Sequence, residues 1–473
     1  MEDFGRLFNG LTDEGLGSEG FSNAVSLLTD HSINNSCPGF LGKLVSAPSP
    51  PGTAADLLLS MLNNNGHVWR ASPALSAIEQ HVSTALARLL GLQGPHAGGF
   101  TMPGGAACNM LALLVARNVL SPESKQQGVP PGKYVVFVSD SAHYSVSNAV
   151  QILGLGHDAV VTVPSLEDET MDVDRLDAAV EVAIQSGKQP LFINATAGNT
   201  VNGTFDALDK MGDIARKANA WFHVDACWGG AVAFSDNLRH LMKGSELADS
   251  ISFNPHKMLG VPLVCAFLLA NDLRTFWLAN KLRAGHLFHP QTSDGTDKTP
   301  LAQTGAHANG REPDDWRNSP LLDESPGVAE IRDLAALTGQ CSRRSDATKM
   351  FVHWIYYGTN GIARDVEQAV HSAQHLARLV TAHPRLELIG DAEKVFAQVC
   401  FYWRSEGARP AASNSHNTHA LYDELTEHGW KIDYAPYKAR GDCIRIACNR
   451  LTTPAGGEAL IARLVQLGES LQL

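Results

Sequence analysis

Short apolar runs alternate with longer segments of helical period through the middle of the chain. The stretches 134–138 (YVVFV), 159–163 (AVVTV), 190–194 (PLFIN), 221–225 (WFHVD) and 250–253 (SISF) are mostly apolar at successive positions. Residues apolar on both faces of a strand mark one that is covered on both sides. Helical patterns fall between them, near 105–120, 145–154, 173–186 and 207–219. The alternation predicts a mainly parallel sheet sandwiched between helices. Upstream, 73–91 predicts a helix opened by Pro73, with Ile78, Val82, Ala85, Leu86 and Leu89 on one face and Gly91 at its close.

The pattern changes after 270. Residues 290–326 are polar, rich in Gly and Pro and without period, which predicts a long functional loop. A long helical stretch at 346–383 follows, then EKVFAQVCFYW (393–403), a helix near 416–428, CIRIAC (443–448) and a last helix from about 454. We therefore expect an amino-terminal arm (1–60), a large α/β domain (61–345) and a smaller α+β carboxyl-terminal domain (346–473).

Charge and composition narrow the function. The 473 residues carry 37 basic and 49 acidic side chains, a net charge of −12, which argues against nucleic acid or an anionic membrane as the main partner. The start, MEDFGRLFNGLTDEG, lacks the basic-then-apolar order of a signal peptide. The longest apolar stretch, 258–270, is too short to span a bilayer and contains Pro262. Eight cysteines form no CxxC pair and no metal-ligand spacing, so reduced, mostly buried thiols and no metal are expected. These features predict a cytoplasmic protein.

Ligands of α/β sheets bind where strands end, and four such ends carry unusual residues. FTMPGGAACNM (100–110) sets glycines ahead of a helix, whose N-terminus attracts an anion. DSAHYS brings His143, WFHVDACWGG brings Asp225, and SFNPHK brings His256 and Lys257. Singly, each has an ordinary explanation: a turn, a core histidine, a helix cap, a solvated lysine. Jointly they suit pyridoxal phosphate, which needs an amine for a Schiff base, a carboxylate for its ring nitrogen, a planar group over the ring and an anion cradle.

These segments also resemble the group II pyridoxal-phosphate-dependent amino acid decarboxylases, which act on glutamate, aspartate, cysteine sulfinate or aromatic amino acids. NPHKMLGVPL is similar to their lysine motif, HVDACWGGA to their aspartate motif, PGGAACNM to their phosphate turn, and NATAGNTVNGTFD (194–206) to the segment between. The likeness runs from about residue 37 to the end. It implies the pyridoxal-phosphate-dependent transferase fold type I, with a seven-stranded sheet in the large domain, and a homodimer that exchanges its amino-terminal arms. It also implies roles. Lys257 would hold the cofactor, Asp225 would pair with its ring nitrogen and His143 would stack on the ring. Ala106, Ala107 and Cys108 would meet the phosphate, with Ser252 and His256 nearby. Thr196 would touch the ring, and Cys227 stands where a small residue is usual. Arg445, on the apolar strand of CIRIAC, resembles the arginine that binds a substrate carboxylate, for which a guanidinium is well shaped.

Two features depart from the resemblance. The family's mobile loop supplies a tyrosine that protonates the carbon losing CO2, yet here no tyrosine lies between Tyr144 and Tyr356. His286, His289, His307 or water are the substitutes, or oxygen intervenes and an aldehyde results. PGGAACNM, NATAGNTV and GQCSRR favour a small acidic amino acid, whereas HVWRASPALSAIEQ (67–80), with Trp69 as a candidate pocket residue, resembles the aromatic branch.

Overall fold

In the computed structural model, residues 13–281, 315–404 and 411–473 are described. The larger sheet contains β1 (Gly98–Met102), β2 (Tyr134–Ser139), β3 (Val160–Val163), β4 (Gln189–Thr196), β5 (Trp221–Asp225), β6 (Ser250–Phe253) and β7 (Ala266–Ala270). Their order is β1-β7-β6-β5-β4-β2-β3, and only β7 pairs antiparallel with its neighbours. A mainly parallel seven-stranded sheet is thus as expected. Side chains of a strand alternate between faces, and here both faces are apolar. Val135 and Phe137 of β2 join one core with Ile193, Phe222, Val224, Ile251 and Phe267. Tyr134, Val136 and Val138 join the other with Phe192, Trp221, Leu268 and Phe100.

The helices follow the periodicity closely. Pro73–Leu89 has proline at its first turn, and the chain turns away through Gly91 at φ +102°. Gly105–Leu120, Ser145–Ile152, Val173–Gln185 and Leu208–Lys217 cover the sheet. The long helix Ala347–Ala382 is broken at Gly358, whose φ of +64° lies outside helical space.

A second, antiparallel sheet contains β8 (Leu386–Leu388), β9 (Gln398–Trp403), β10 (Asp433–Pro436) and β11 (Asp442–Ala447), ordered β10-β11-β9-β8. Leu376 and Val380 of the long helix, Leu421 and Leu425 of Ala411–Glu427, and Leu460 and Leu464 of Pro454–Ser470 pack on Val399, Phe401, Ile444 and Ile446.

Two segments carry structure that the periodicity did not show. The first sixty residues contain ordered helices, Gly17–His31 and Pro50–Leu62, and the strip between them stitches the sheets together. Leu41 N–H donates to Lys431 O, its carbonyl accepts from Ala447, and Ser46 N–H donates to the carbonyl of Lys257 at 2.9 Å. The end of the 290–326 stretch is also not bare loop. Trp316 stacks on Trp221 with centroids 4.8 Å apart, and Pro320–Asp323 forms a helical turn. The intervening polar run hid these anchors from any test of periodicity.

Candidate active site

The carboxyl ends of β2, β4, β5 and β6 converge with the turn after β1. That turn ends in Gly104, at φ +118°, followed by the helix Gly105–Leu120. The first amides of a helix lack intrahelical partners and carry its positive dipole end. Gly105 is constrained by space: a Cβ there would sit 2.6 Å from Cys227 Sγ and 2.9 Å from Asn254 Nδ2. A concave, amide-lined cradle results.

Asp225 closes β5. Its Oδ1 accepts from the backbone N–H of Cys227 at 3.1 Å, and its Oδ2 accepts from Asn109 Nδ2 at 2.8 Å. Burial alone would raise its pKa, but the Lys257 ammonium and the Asn109 and Cys227 hydrogen bonds outweigh burial and hold it below the ordinary carboxylate value. Asp225 is therefore an anion inside the protein. Beneath it, His223 is fully buried, and desolvation pushes its pKa down to about 4, so it is neutral.

Lys257 follows β6 across the Asn254-Pro255-His256 turn, its N–H donating to Asn254 O at 3.0 Å. It is half-buried rather than enclosed, opening onto a cavity of about 220 Å³. Gly105, Ala106, Asn109, His143, Thr196, Asp225, Cys227, Asn254, His256 and Lys257 all line that cavity, with Gly198, Thr200 and Trp228 completing the wall. Burial pushes His256 down to about 4, while its Nδ1 donates to Cys265 O at 2.7 Å. Thr196 is braced from behind by Asp206, whose carboxylate accepts from the Thr196 and Met171 amides and is pushed up to about 6 by burial.

Seven of the residues singled out in the sequence thus share one cavity: Ala106, His143, Thr196, Asp225, Cys227, His256 and Lys257. Five do not line it. Cys108 is fully buried and its N–H is committed to Gly104 O; Ala107 lies beside it on the helix. Ser252 sits under the floor, 2.9 Å from Asn109 Oδ1. Trp69 is held elsewhere, its backbone N–H donating to Asp333 Oδ1 and the Arg332 guanidinium 5.4 Å from its ring. Arg445 stands behind the wall, donating to Thr200 O at 2.9 Å, Gly42 O at 2.9 Å and Asp433 Oδ2 at 2.7 Å. Among the described residues only its Nε is without a partner, and in this arrangement the carboxylate that it meets is that of Asp433, at Nη2. His286, His289 and His307 lie outside the described residues.

Sequence reasoning missed Asn109 and Asn254. Both stand inside quoted motifs, one turn into the helix of PGGAACNM and at the head of NPHK. An asparagine on an otherwise apolar helix face was the available signal. Trp228 was also missed; its Nε1 donates to Gln398, which ties the cavity wall to β9.

These residues fit pyridoxal phosphate. A helix N-terminus where position 105 admits only glycine, the His143 ring, an ionised buried aspartate and an accessible lysine meet the four demands of that molecule. Comparison with known proteins agrees. Residues 23–304 match the pyridoxal-dependent decarboxylase conserved domain. A glutamate decarboxylase-like protein of Gibberella zeae is 62% identical, over 100% of this chain and 92% of its own length. The L-aspartate decarboxylase of Metarhizium robertsii is 37% identical, over 97% and 85% respectively. Among solved structures, mouse CSAD in apo form superposes with a TM-score of 0.84 at 27% identity, covering 99% of this chain and 92% of that one.

Proposed function

The chain belongs to the pyridoxal-dependent decarboxylase family, and from that premise we propose that it decarboxylates a small acidic L-amino acid to the amine. It is a pyridoxal-phosphate-dependent amino acid decarboxylase of fold type I. The substrate class is supported by the relatives named for glutamate and aspartate chemistry and by a small cavity whose wall is mostly polar or small side chains. The observation that carries the assignment of roles is Asp225, a buried carboxylate held ionised on the same cavity as Lys257.

In this reading Lys257 offers the primary amine that holds the cofactor's aldehyde carbon. The first-turn amides after Gly104, with Asn254, hold its phosphate, and His143 covers its ring. Asp225 keeps a proton on the ring nitrogen. When bound, pyridoxal phosphate supplies an electron-deficient ring that takes up the electron pair left when CO2 departs. The net change is amino acid plus one proton giving amine plus CO2. Asp225 is buried, and its low-dielectric surroundings strengthen its charge interaction.

A second reading draws on the missing tyrosine. Without that acid, dioxygen takes the electron pair instead, and amino acid, O2 and water give aldehyde, CO2, ammonia and hydrogen peroxide. We propose further that the chain acts as a homodimer and that its large and small domains divide near residue 345. Leu57, Leu58, Met61 and Leu62 on one helix, Phe21, Val25 and Leu28 on another, and Ile355 and Tyr356 are all exposed apolar side chains that a second subunit would cover.

The test is a panel of aspartate, glutamate, cysteine sulfinate, phenylalanine, tyrosine and tryptophan with the purified holoenzyme. CO2 and amine in equal amounts from an acidic member support the first reading. CO2 with aldehyde and peroxide supports the second, and turnover of aromatic substrates alone would overturn the acidic assignment.

A further inference from the structure

Asn109 is 1% exposed, and all of its hydrogen-bonding positions are engaged. Its Oδ1 accepts from Ser252 Oγ at 2.9 Å and lies 3.1 Å from His223 Nε2. Its Nδ2 donates to Asp225 Oδ2 at 2.8 Å and to Ser145 Oγ at 2.9 Å. The opposite amide orientation would set a carbonyl oxygen against the Asp225 carboxylate, so this one is enforced.

The proton positions follow in sequence. Trp221 Nε1 donates to Ser250 Oγ at 2.8 Å, and that hydroxyl lies 2.8 Å from His223 Nδ1. Asn109 Oδ1 can only accept, so the neutral His223 carries its proton on Nε2, and its Nδ1 accepts from the Ser250 hydroxyl. On the other branch, Ser145 Oγ accepts from Asn109, so its hydrogen points to His143 Nδ1, 2.8 Å away. The Ser145 backbone N–H approaches the same nitrogen at 3.3 Å. A ring nitrogen facing two donors is an acceptor, which leaves the His143 proton on Nε2.

We propose that Asn109 is a positioning residue that sets the proton arrangement of Asp225 and His143 together, through one amide hydrogen to each branch. This rests on the reading of Asp225 as the partner of the cofactor's ring nitrogen. The amide hydrogen on Oδ2 favours the ionised carboxylate, and the relay through Ser145 keeps His143 neutral with a fixed tautomer. The charged and titratable groups facing Asp225 come from several elements. Lys257 follows β6, His143 follows β2, His223 is on β5, Cys227 is in the loop after it, and Cys108 is on the helix Gly105–Leu120. Burial raises both thiols, which are therefore neutral, and the charge of Lys257 is what lowers Asp225.

The test compares wild type with Asn109→Asp, Asn109→Ala and Ser145→Ala, measuring pyridoxal phosphate dissociation constants by absorbance titration from about pH 5.5 to 8.5. Asn109→Asp is nearly isosteric but sets a second carboxylate against Asp225, so one of the pair retains a proton. It is expected to weaken cofactor binding about tenfold at pH 8, with a pH dependence absent from wild type. Asn109→Ala, which adds no charge, is expected to weaken binding in the same direction and keeps the test decisive should the aspartate variant not fold. Ser145→Ala is expected to keep the cofactor dissociation constant within about threefold while shifting the acid limb of kcat/KM. Wild-type binding in both Asn109 variants, or a loss uniform across pH in Asn109→Asp, overturns the Asp225 branch. An unshifted profile in Ser145→Ala overturns the His143 branch. If Asp225→Asn itself turns over normally, the underlying reading fails; if it is crippled while the Asn109 variants behave as wild type, this inference alone fails.

Discussion

At the scale of single residues, burial decides which side chains carry charge. Asp225 stays ionised because Lys257 and two hydrogen bonds outweigh its desolvation. At saturating cofactor, Asp225→Asn should lower kcat by at least ~10²-fold, since a neutral amide cannot hold the ring proton. Near-normal turnover would remove it from that role. The buried histidines make a separate, structural prediction. Burial pushes His353 down to about 4, where its Nδ1 meets Ser49 Oγ at 2.9 Å. A histidine whose folded pKa lies below its unfolded value of ~6.5 contributes stability above that pH and loses it as pH falls toward the folded value. His353→Gln should therefore flatten the fall in Tm between about pH 6.5 and 4.5 in scanning calorimetry. An unchanged slope would contradict it. Lys257, Asp225 and His143 were legible in the sequence because each is a polar residue out of place at the end of an apolar run. Asn109 was not, because its partners are brought to it by two separate strands, β5 and β6, and by the start of the helix Ser145–Ile152.

At the scale of elements, the turn after β1 and the anchor after residue 314 are the informative pieces. Gly105→Ala should weaken cofactor binding by about tenfold, because its Cβ would meet Cys227 Sγ and Asn254. Adding Cys227→Ala should recover part of that loss, and absence of any recovery would place the cause elsewhere. Arg317 pairs with Asp249 through Nε at 2.8 Å and Nη2 at 2.7 Å. Asp249 is buried, and desolvation keeps its pKa raised in spite of that partner. Arg317→Ala should cost about 3–5 kcal/mol, read by denaturant unfolding, because it leaves a buried carboxylate uncompensated. The core strands were readable from apolar runs alone. β1 begins in glycines, and the Trp316–Arg317 anchor sits within polar sequence; their partners, Leu268, Trp221 and Asp249, are distant in the chain.

At the scale of the molecule, the two sheets meet around the cavity through contacts the linear pattern does not encode. Gln398 of β9 holds Trp228 and the Asn199 carbonyl, and Arg445 of β11 holds the Thr200 carbonyl. Leu58→Glu with Met61→Glu should turn the proposed dimer into a monomer in light scattering, and an unchanged mass would place the interface elsewhere. The central claim, that Lys257 holds the cofactor, is tested most directly by borohydride reduction of the holoenzyme followed by peptide mass mapping. We predict a phosphopyridoxyl group on the peptide containing Lys257 and none in Lys257→Ala; a label on another lysine would contradict the account.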